Sequence, residues 1–226
     1  YPEVIDNILG SAYEHGGVEW ANDSQTLFYV TLDETLRPDK LHRHILGTDP
    51  VQDVILFHET DEIFSLSVRK SHDNAYLMLH HFSTTTCEIR FLSADRPLDG
   101  LQILQPRIQG LEYFAVHRKG FFFILHNNQA KNFMLSIARV DCPGMEDWHE
   151  IISHREDVLI ESVDAFEDFI VVTERRDGLK QLRIIASDDM NNASYVQFPE
   201  SSYNVTLEAN PEFKTNLLRF KYSSLI

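Results

Sequence analysis

The amino-acid sequence predicts an all-β chain, a partial β-propeller of about four four-stranded blades plus the start of a fifth. Three observations support this fold class. Short apolar segments return at a fixed spacing, each interval contains four strand-like segments, and Phe (15) and Tyr (8) are frequent. Aromatic residues favour strands because their flat side chains pack well on a pleated surface.

The spacing of the repeat is read from the apolar segments that close each unit. These are "VILF" at Val54, "LQIL" at Leu101, "WHEI" at Trp148 and "YVQF" at Tyr195, and each begins 47 residues after the previous one. A four-stranded unit that returns every 40–50 residues or so is typical of a propeller blade. Such a unit cannot cover its own apolar faces, so it must pack against its neighbours.

Each unit divides into strands and turns in the same way. The second unit has "IFSLSV", "AYLMLHHF", "CEIRFLSA" and "LQILQ", with the polar turn "KSHDN" between the first two. Asn and Asp favour such turns. The predicted blades span residues 17–58, 63–105, 111–153, 158–198 and, incompletely, 202–226.

Two alternatives to this assignment are weaker. A β-sandwich would use the same short strands, but the regular spacing favours a propeller. Helical periodicity is missing over any stretch of ten or more residues, although "PEVIDNILG" near the N-terminus could form one helical turn. The chain starts at Tyr1 and ends inside a predicted strand, so we expect it to be a piece of a longer protein.

The net charge of −15 restricts the partners that we expect. A chain this acidic repels phosphate backbones, which argues against nucleic-acid binding. It would attract cationic partners such as basic peptides, although the charge could also serve solubility alone.

Cysteine content and hydropathy bear on localisation. Cys87 and Cys142 form no CxxC pair and no disulfide framework, which favours a reducing, cytoplasmic setting. The longest apolar runs, such as "GFFFILH", fall well short of the ~18 residues that a membrane span needs. We therefore expect no membrane partner, and no signal peptide is evident.

Longer stretches resemble a known family. These are "VEWANDSQTLFYVTLDETLRPDKLHRHILGTD", "STTTCEIRFLSAD", "LEYFAVHRKGFFFILHNNQAKNF", "ISHREDVLIESVDAF", "VVTERRDGLKQLRII" and "LEANPEFKTNLLRFKYSSL". Taken in order, they are very similar to the propeller of the prolyl oligopeptidase family, closest to its oligopeptidase B (protease II) branch. The resemblance covers almost the whole chain.

This resemblance implies a two-domain serine oligopeptidase. A seven-bladed propeller caps an α/β-hydrolase domain that carries Ser, Asp and His, and it admits only short, unstructured peptides, which oligopeptidase B members cut after Arg or Lys. The chain resembles only the central part of the cap, so its partners would be short basic peptides and its own catalytic domain. The sequence has no G-x-S-x-G pentapeptide, the usual nucleophile elbow, so we expect no catalytic residue in it and no activity by itself.

A free-standing propeller that binds proteins through its loops is the alternative function, because one fold serves many functions. The WD40 type of scaffold is disfavoured, since no Trp-Asp pair closes a blade and Trp148 is followed by His149.

One candidate site is the charged turn "DETLRPDK", which contains Glu34 and Arg37. It could be only a turn whose backbone is fixed by Pro38. The family resemblance implies a sharper interpretation, in which Glu34 and Arg37 contact the catalytic domain.

A second candidate site consists of acidic residues on the first strand of each blade. Inner strands are predicted at residues 17–21, 63–68, 111–117, 158–163 and 203–208. Glu19, Glu112, Glu161 and Asp164 would project negative charge near the central channel and concentrate cationic peptides there.

Histidines offer only a weak metal motif. His42 and His44 lie on the same side of a predicted strand because side chains alternate. Two ligands do not make a zinc site, which needs three or four, and no further Cys/His pairing follows. We predict no metal and no cofactor.

Overall fold

The computed structural model describes residues 17–186 and 192–224. The predicted helical turn at residues 2–10 lies outside the described residues. All regular elements are antiparallel strands, apart from two short 3-10 turns at Pro50–Gln52 and Met145–Asp147. The predicted all-β architecture of four-stranded sheets is confirmed. The chain forms two compact units, residues 1–111 and 112–226.

Unit 1 contains two four-stranded sheets, which we call blades one and two. Strands follow one another across each sheet in chain order. Blade one is made of β1 (Val18–Trp20), β2 (Thr26–Leu32), β3 (Pro38–Ile45) and β4 (Val54–His58). Blade two is made of β5 (Ser65–Lys70), β6 (Tyr76–Phe82), β7 (Cys87–Ser93) and β8 (Gln102–Gln105).

Unit 2 contains blades three and four and a two-stranded sheet. Blade three is made of β9 (Tyr113–Arg118), β10 (Phe121–His126), β11 (Met134–Arg139) and β12 (His149–Ile152). Blade four is made of β13 (Val158–Ala165), β14 (Phe169–Arg176), β15 (Leu179–Ala186) and β16 (Ala193–Tyr195). The last sheet pairs β17 (Tyr203–Leu207) with β18 (Phe220–Ser224).

The second strand is the most buried one in blades one, three and four, which explains its composition. β2, with the sequence TLFYVTL, has six consecutive buried residues, and β10 has five. A strand covered on both faces carries a continuous apolar run instead of an alternating one. The first strand is an edge strand, and in β5 the buried and less buried residues alternate along part of its length.

The core of unit 1 lies between blades one and two. Blade one contributes Phe28, Val30 and Leu41, and the facing side chains of blade two include Leu66 and Leu79. All five are at most 1% exposed. Burying each such side chain is worth about 1.5–3 kcal/mol, so the two sheets stabilise each other.

Unit 2 is organised in the same way. One cluster joins blades three and four through residues such as Phe123, Leu135 and Val172. A second cluster covers the other face of blade four, where Leu182 meets Val205 of β17. Both faces of blade four are therefore occupied.

A β-bulge recurs between the third and fourth strands of a blade. The register shifts between Leu41 and His42, between Ile89 and Arg90, and between Leu135 and Ser136. The shift leaves one apolar residue of the outer strand without a cross-strand partner. This residue is Leu56 in blade one, Leu104 in blade two and Ile151 in blade three. Leu104 is 1% exposed, and the other two pack against the cores.

Gly17 marks the close approach of blade two to the start of blade one. Its φ is +89°, and a Cβ at this position would overlap the backbone carbonyl oxygen of Val68. Only glycine meets both conditions without strain. No helix in the described part of the chain is long and apolar enough to cross a membrane.

Candidate functional site

The turn between β2 and β3 holds the predicted pair Glu34 and Arg37. Glu34 is exposed at the tip. Arg37 is largely covered, and its Nε donates to Asp33 Oδ2 at 2.9 Å. Its Nη1 donates to the carbonyl of Phe64 at 2.7 Å, so this arginine ties the turn to the segment that leads into blade two. Of the two, only Glu34 presents its charge to solvent.

The predicted acidic residues on first strands occupy different environments. Glu19 lies on β1, opposite Phe28 of β2, and is half-buried. Glu112 precedes β9, and its Oε1 accepts from Asn127 Nδ2 at 3.2 Å. The hydrogen bond to Glu112 thus comes from a neutral amide and not from a cation.

Glu161 and Asp164 both lie on β13, but Glu161 forms ion pairs with two cationic side chains. Arg175 Nε lies 2.5 Å from Glu161 Oε1, and Lys180 Nζ lies 3.0 Å from Oε2. Burial raises the pKa of Glu161, but Lys180 and Arg175 outweigh that effect and hold the pKa below its usual value. Asp164 is half-buried. A role in attracting cations therefore suits Glu112 better than Glu161.

A charged cluster between blades one and two was not predicted from the sequence. We call it the Glu59 cluster, and it contains Glu59, His81, Glu88, Arg90 and Arg107. Both nitrogens at the end of the Arg107 guanidinium donate to Glu59, and the backbone N–H of Arg107 donates to Glu88 Oε2 at 3.3 Å. Arg90 Nε donates to Glu88 Oε1 at 2.8 Å. The cluster links the segment after β4 with β6, β7 and the segment after β8.

Two aromatic rings cover the arginines of the Glu59 cluster. Arg107 lies over the ring of Phe64 at 3.9 Å, and Arg90 lies over that of Phe57 at 4.5 Å. The ring faces attract these cations, and the contact also shields the ion pairs from water.

His81 is neutral in this cluster. Its Nδ1 lies 3.1 Å from Glu59 Oε2, which can only accept, and 3.2 Å from Arg107 Nη2, which can only donate. Nε2 is buried and has no hydrogen-bond partner. Burial therefore lowers the pKa of His81 to about 4, although Glu59 opposes the shift. Burial raises the pKa of Glu59, but hydrogen bonds from Arg107 and His81 bring it below its usual value.

A second buried cluster lies in blade four. We call it the Glu174 cluster, and it contains Arg155, Glu174, Arg183 and Tyr195. Glu174 is fully buried. Arg155 Nη2 donates to its Oε1 at 2.6 Å, and the Tyr195 hydroxyl donates to its Oε2 at 2.9 Å. Arg183 Nη1 lies 3.5 Å from Oε1.

The pair His42 and His44 belongs to a hydrogen-bonded network in blade one. His44 Nδ1 donates to Asp53 Oδ1 at 2.7 Å, and the Tyr29 hydroxyl donates to Asp53 Oδ2 at 2.7 Å. The ring of His42 stacks on that of Tyr29 at 4.9 Å. Among residues 17–186 and 192–224, no group of three or more His, Cys, Asp or Glu side chains is placed to hold a metal ion.

The chain was compared with known proteins. Residues 2–226 match the family described as prolyl oligopeptidase, N-terminal beta-propeller domain. The chain is 36% identical to dipeptidyl aminopeptidase BI of Pseudoxanthomonas mexicana over 208 residues, which cover 91% of this chain and 28% of that protein. It is 29% identical to protease 2 of Moraxella lacunata, with 99% of this chain and 32% of the relative covered.

A solved structure is similar as well. Oligopeptidase B from Trypanosoma brucei, in a closed form with covalently bound antipain, superimposes with a TM-score of 0.88 at 27% identity. The match covers 96% of this chain and 31% of that one. The chain thus spans about a third or less of the length of the proteins that it matches.

Proposed function

We propose that this chain is part of the cap that admits substrates to a serine oligopeptidase, because the chain belongs to the prolyl oligopeptidase family and matches the N-terminal β-propeller domain of that family. The observation that carries the proposal is the family match across residues 2–226, supported by the similarity to oligopeptidase B. The chemistry would reside in an α/β-hydrolase domain, where a serine attacks the peptide carbonyl, a histidine moves the proton and an aspartate orients the histidine. None of these groups is assigned to a residue of this chain.

Short peptides with Arg or Lys at the cleaved bond are the substrates that we propose. The net charge of −15 favours cationic ligands over acidic ones. Glu112 supports the proposal locally, because its carboxylate is held in place by a neutral amide and not by a cation. Glu19 and Asp164 are proposed to add to the same field, whereas Glu161 is already paired with Arg175 and Lys180.

Contact with the catalytic domain is proposed for the turn between β2 and β3. Glu34 is exposed at the tip of this turn, while Arg37 holds the turn in place by donating hydrogen bonds to the Asp33 carboxylate and to the Phe64 carbonyl. We therefore propose that Glu34 makes the contact and that Arg37 positions it. A cytoplasmic setting is proposed from Cys87 and Cys142, neither of which is in a disulfide.

The activity is tested on the full-length protein with fluorogenic peptides that differ only at the residue before the cleaved bond. Arg and Lys peptides should be cleaved with a kcat/KM far above that of Ala, Pro or Glu peptides. A preference for Pro or Ala would refute the proposed specificity, and no cleavage of any peptide would refute the peptidase.

Two further arms test the gate and the mode of cleavage. One basic sequence is embedded in peptides of about 6 to 40 residues and in a folded protein, and cleavage should fall sharply with length. Equal cleavage of the folded protein would refute gating. The 36% identity to a dipeptidyl aminopeptidase suggests release of dipeptides as a second candidate activity. Blocking the peptide N-terminus distinguishes the two, because it stops an aminopeptidase and leaves an endopeptidase active.

A further inference from the structure

Blades two and four can be compared residue by residue because their strand registers agree. His81 of β6 lies opposite Glu88 of β7, and in blade four Glu174 of β14 lies opposite Gln181 of β15. An arginine follows two residues later on the third strand of each blade, Arg90 in one and Arg183 in the other. Side chains two residues apart on a strand share a face, so each arginine lies beside the pair before it.

The charges of blade two are balanced at this position. Glu59 and Glu88 supply two carboxylates, Arg90 and Arg107 supply two guanidinium groups, and His81 is neutral. Arg90 Nε donates to Glu88 Oε1 at 2.8 Å, and Arg107 Nε lies 3.8 Å from Glu88 Oε2. Glu88 is therefore hydrogen-bonded to Arg90 and within ion-pair distance of Arg107, whose Nε is buried without a hydrogen-bond partner.

The charges of blade four are not balanced. Gln181 stands where blade two has Glu88, so two guanidinium groups, Arg155 and Arg183, share the single carboxylate of Glu174. Both oxygens of Glu174 are already engaged, one by Arg155 and the other by the Tyr195 hydroxyl. The Glu174 cluster carries one excess positive charge.

Two donors in the cluster lack an acceptor. The Nε atoms of Arg155 and Arg183 are both buried and without a hydrogen-bond partner. Burying a donor without a partner is costly, and the cost is greater for a charged group. The side chains of Arg155 and Arg183 remain 29% and 21% exposed, so a small solute can approach them.

We propose that Arg155 and Arg183 form a binding site for a small oxyanion, a carboxylate or a phosphate. The ligand adds the second negative charge that the Glu88 carboxylate supplies in blade two, and it approaches the guanidinium groups from their solvent-exposed side. Planar guanidinium groups match such oxyanions through paired hydrogen bonds. The site is independent of the peptidase activity proposed above.

The test measures thermal unfolding of the full-length protein with sodium phosphate or sodium acetate, at an ionic strength held constant with NaCl. A ligand at ten times its Kd lowers the unfolding equilibrium constant about elevenfold. Stabilisation by acetate alone identifies a carboxylate ligand, and stabilisation by phosphate alone identifies a phosphate ligand. Either result supports the site. If neither anion stabilises the protein, the proposal is overturned.

Gln181→Glu is the decisive variant, because it restores the carboxylate of blade two. It should melt at a higher temperature than the wild type without added anion, and it should lose the response to both anions. Arg183→Gln should also lose the response, which keeps the test valid if Gln181→Glu does not fold. Arg176→Gln is the matched control, since Arg176 lies on the same blade and is already paired with Asp157.

Two outcomes of this series would overturn the proposal. One is a response to anions in Gln181→Glu or Arg183→Gln as large as in the wild type. The other is an equal loss of the response in Arg176→Gln, since that would show a general effect of surface charge. The site is supported if Arg176→Gln keeps the response of the wild type to anions and both other variants lose it.

Discussion

Replacing His81 with asparagine should make the protein less sensitive to mild acid. His81 is fully buried, lies with Nδ1 3.1 Å from Glu59 Oε2, and has a pKa lowered to about 4 by burial. In the unfolded chain its pKa is 6.5. Between these values the unfolded state binds a proton that the folded state does not, so stability falls as the pH falls. Asparagine keeps an N–H donor at this position and does not titrate.

The size of the effect follows from the two pKa values. A difference of about 2.5 units corresponds to about 3 kcal/mol once the pH is below 4, at 1.36 kcal/mol per unit. At pH 5 the histidine accounts for about 2 kcal/mol of that loss. Glu59 contributes little above pH 5, because its folded pKa is below its usual value and its stabilising charge is lost only in stronger acid.

The assay is urea unfolding of the protein at pH 7 and pH 5, followed by tryptophan fluorescence. The wild type should lose about 2 kcal/mol more than His81→Asn between the two pH values. His149→Asn is the control, because His149 is exposed on β12, and it should match the wild type. Equal losses in the wild type and in His81→Asn would refute the assignment of His81 as a buried neutral imidazole.

Three further predictions concern other contacts. Glu59→Gln leaves Arg107 without its main carboxylate partner and should lower the free energy of unfolding by about 3 kcal/mol in urea titrations. Gly17→Ala should cost more than about 2 kcal/mol in the same assay, because it combines a positive φ with a backbone overlap, whereas Gly47→Ala at φ +87° meets no neighbour and should cost only about 1–2 kcal/mol. If the proposed function holds, Glu112→Lys should raise KM for an Arg peptide roughly fourfold at low salt, the effect of two elementary charges about 10 Å away in water. Steady-state kinetics at low and high salt would show the difference shrink as salt is added.

Each of these predictions has a matched control. Arg96→Gln breaks an exposed ion pair with Asp99 and should cost at most about 1 kcal/mol, so a loss equal to that of Glu59→Gln would contradict the importance of burial. Equal costs for the two glycine variants would show that the overlap is relieved by a backbone shift. Glu150→Lys changes an exposed charge on the outer strand β12 and should leave KM unchanged, and an equal rise there would show that only net charge matters.

The fold could be predicted from the sequence because blades are local. Each blade is a run of strands in chain order, so the 47-residue period and the polar turns specify it without long-range information. In the apolar run "FFFIL", Phe123 and Leu125 belong to the cluster that joins blades three and four. Phe121 at its start is 38% exposed, because it lies next to the tight turn that precedes β10.

The charged clusters could not be predicted because their partners are distant in the chain. Glu59 and Arg107 are 48 residues apart, and no local pattern announces that they meet. A signal existed, however, in Glu88 and Glu174, which are carboxylates within predicted strands. Arg37 was assigned a contact with the catalytic domain from the family resemblance, whereas its hydrogen bonds to backbone carbonyls depend on the packing of blade two and have no signal in the sequence.

The recurrent bulge also shapes how the protein meets other chains. A straight, flat outer strand offers a row of free N–H and C=O groups on which a second chain can grow into an aggregate, and a bulge bends that row out of line. The same insertion turns Leu56, Leu104 or Ile151 toward the interior. In blades one to three, resistance to aggregation and completion of the core thus depend on one residue each, so a deletion there would damage both at once. Blade four lacks the shift, but its outer strand has only three residues and offers little to build on.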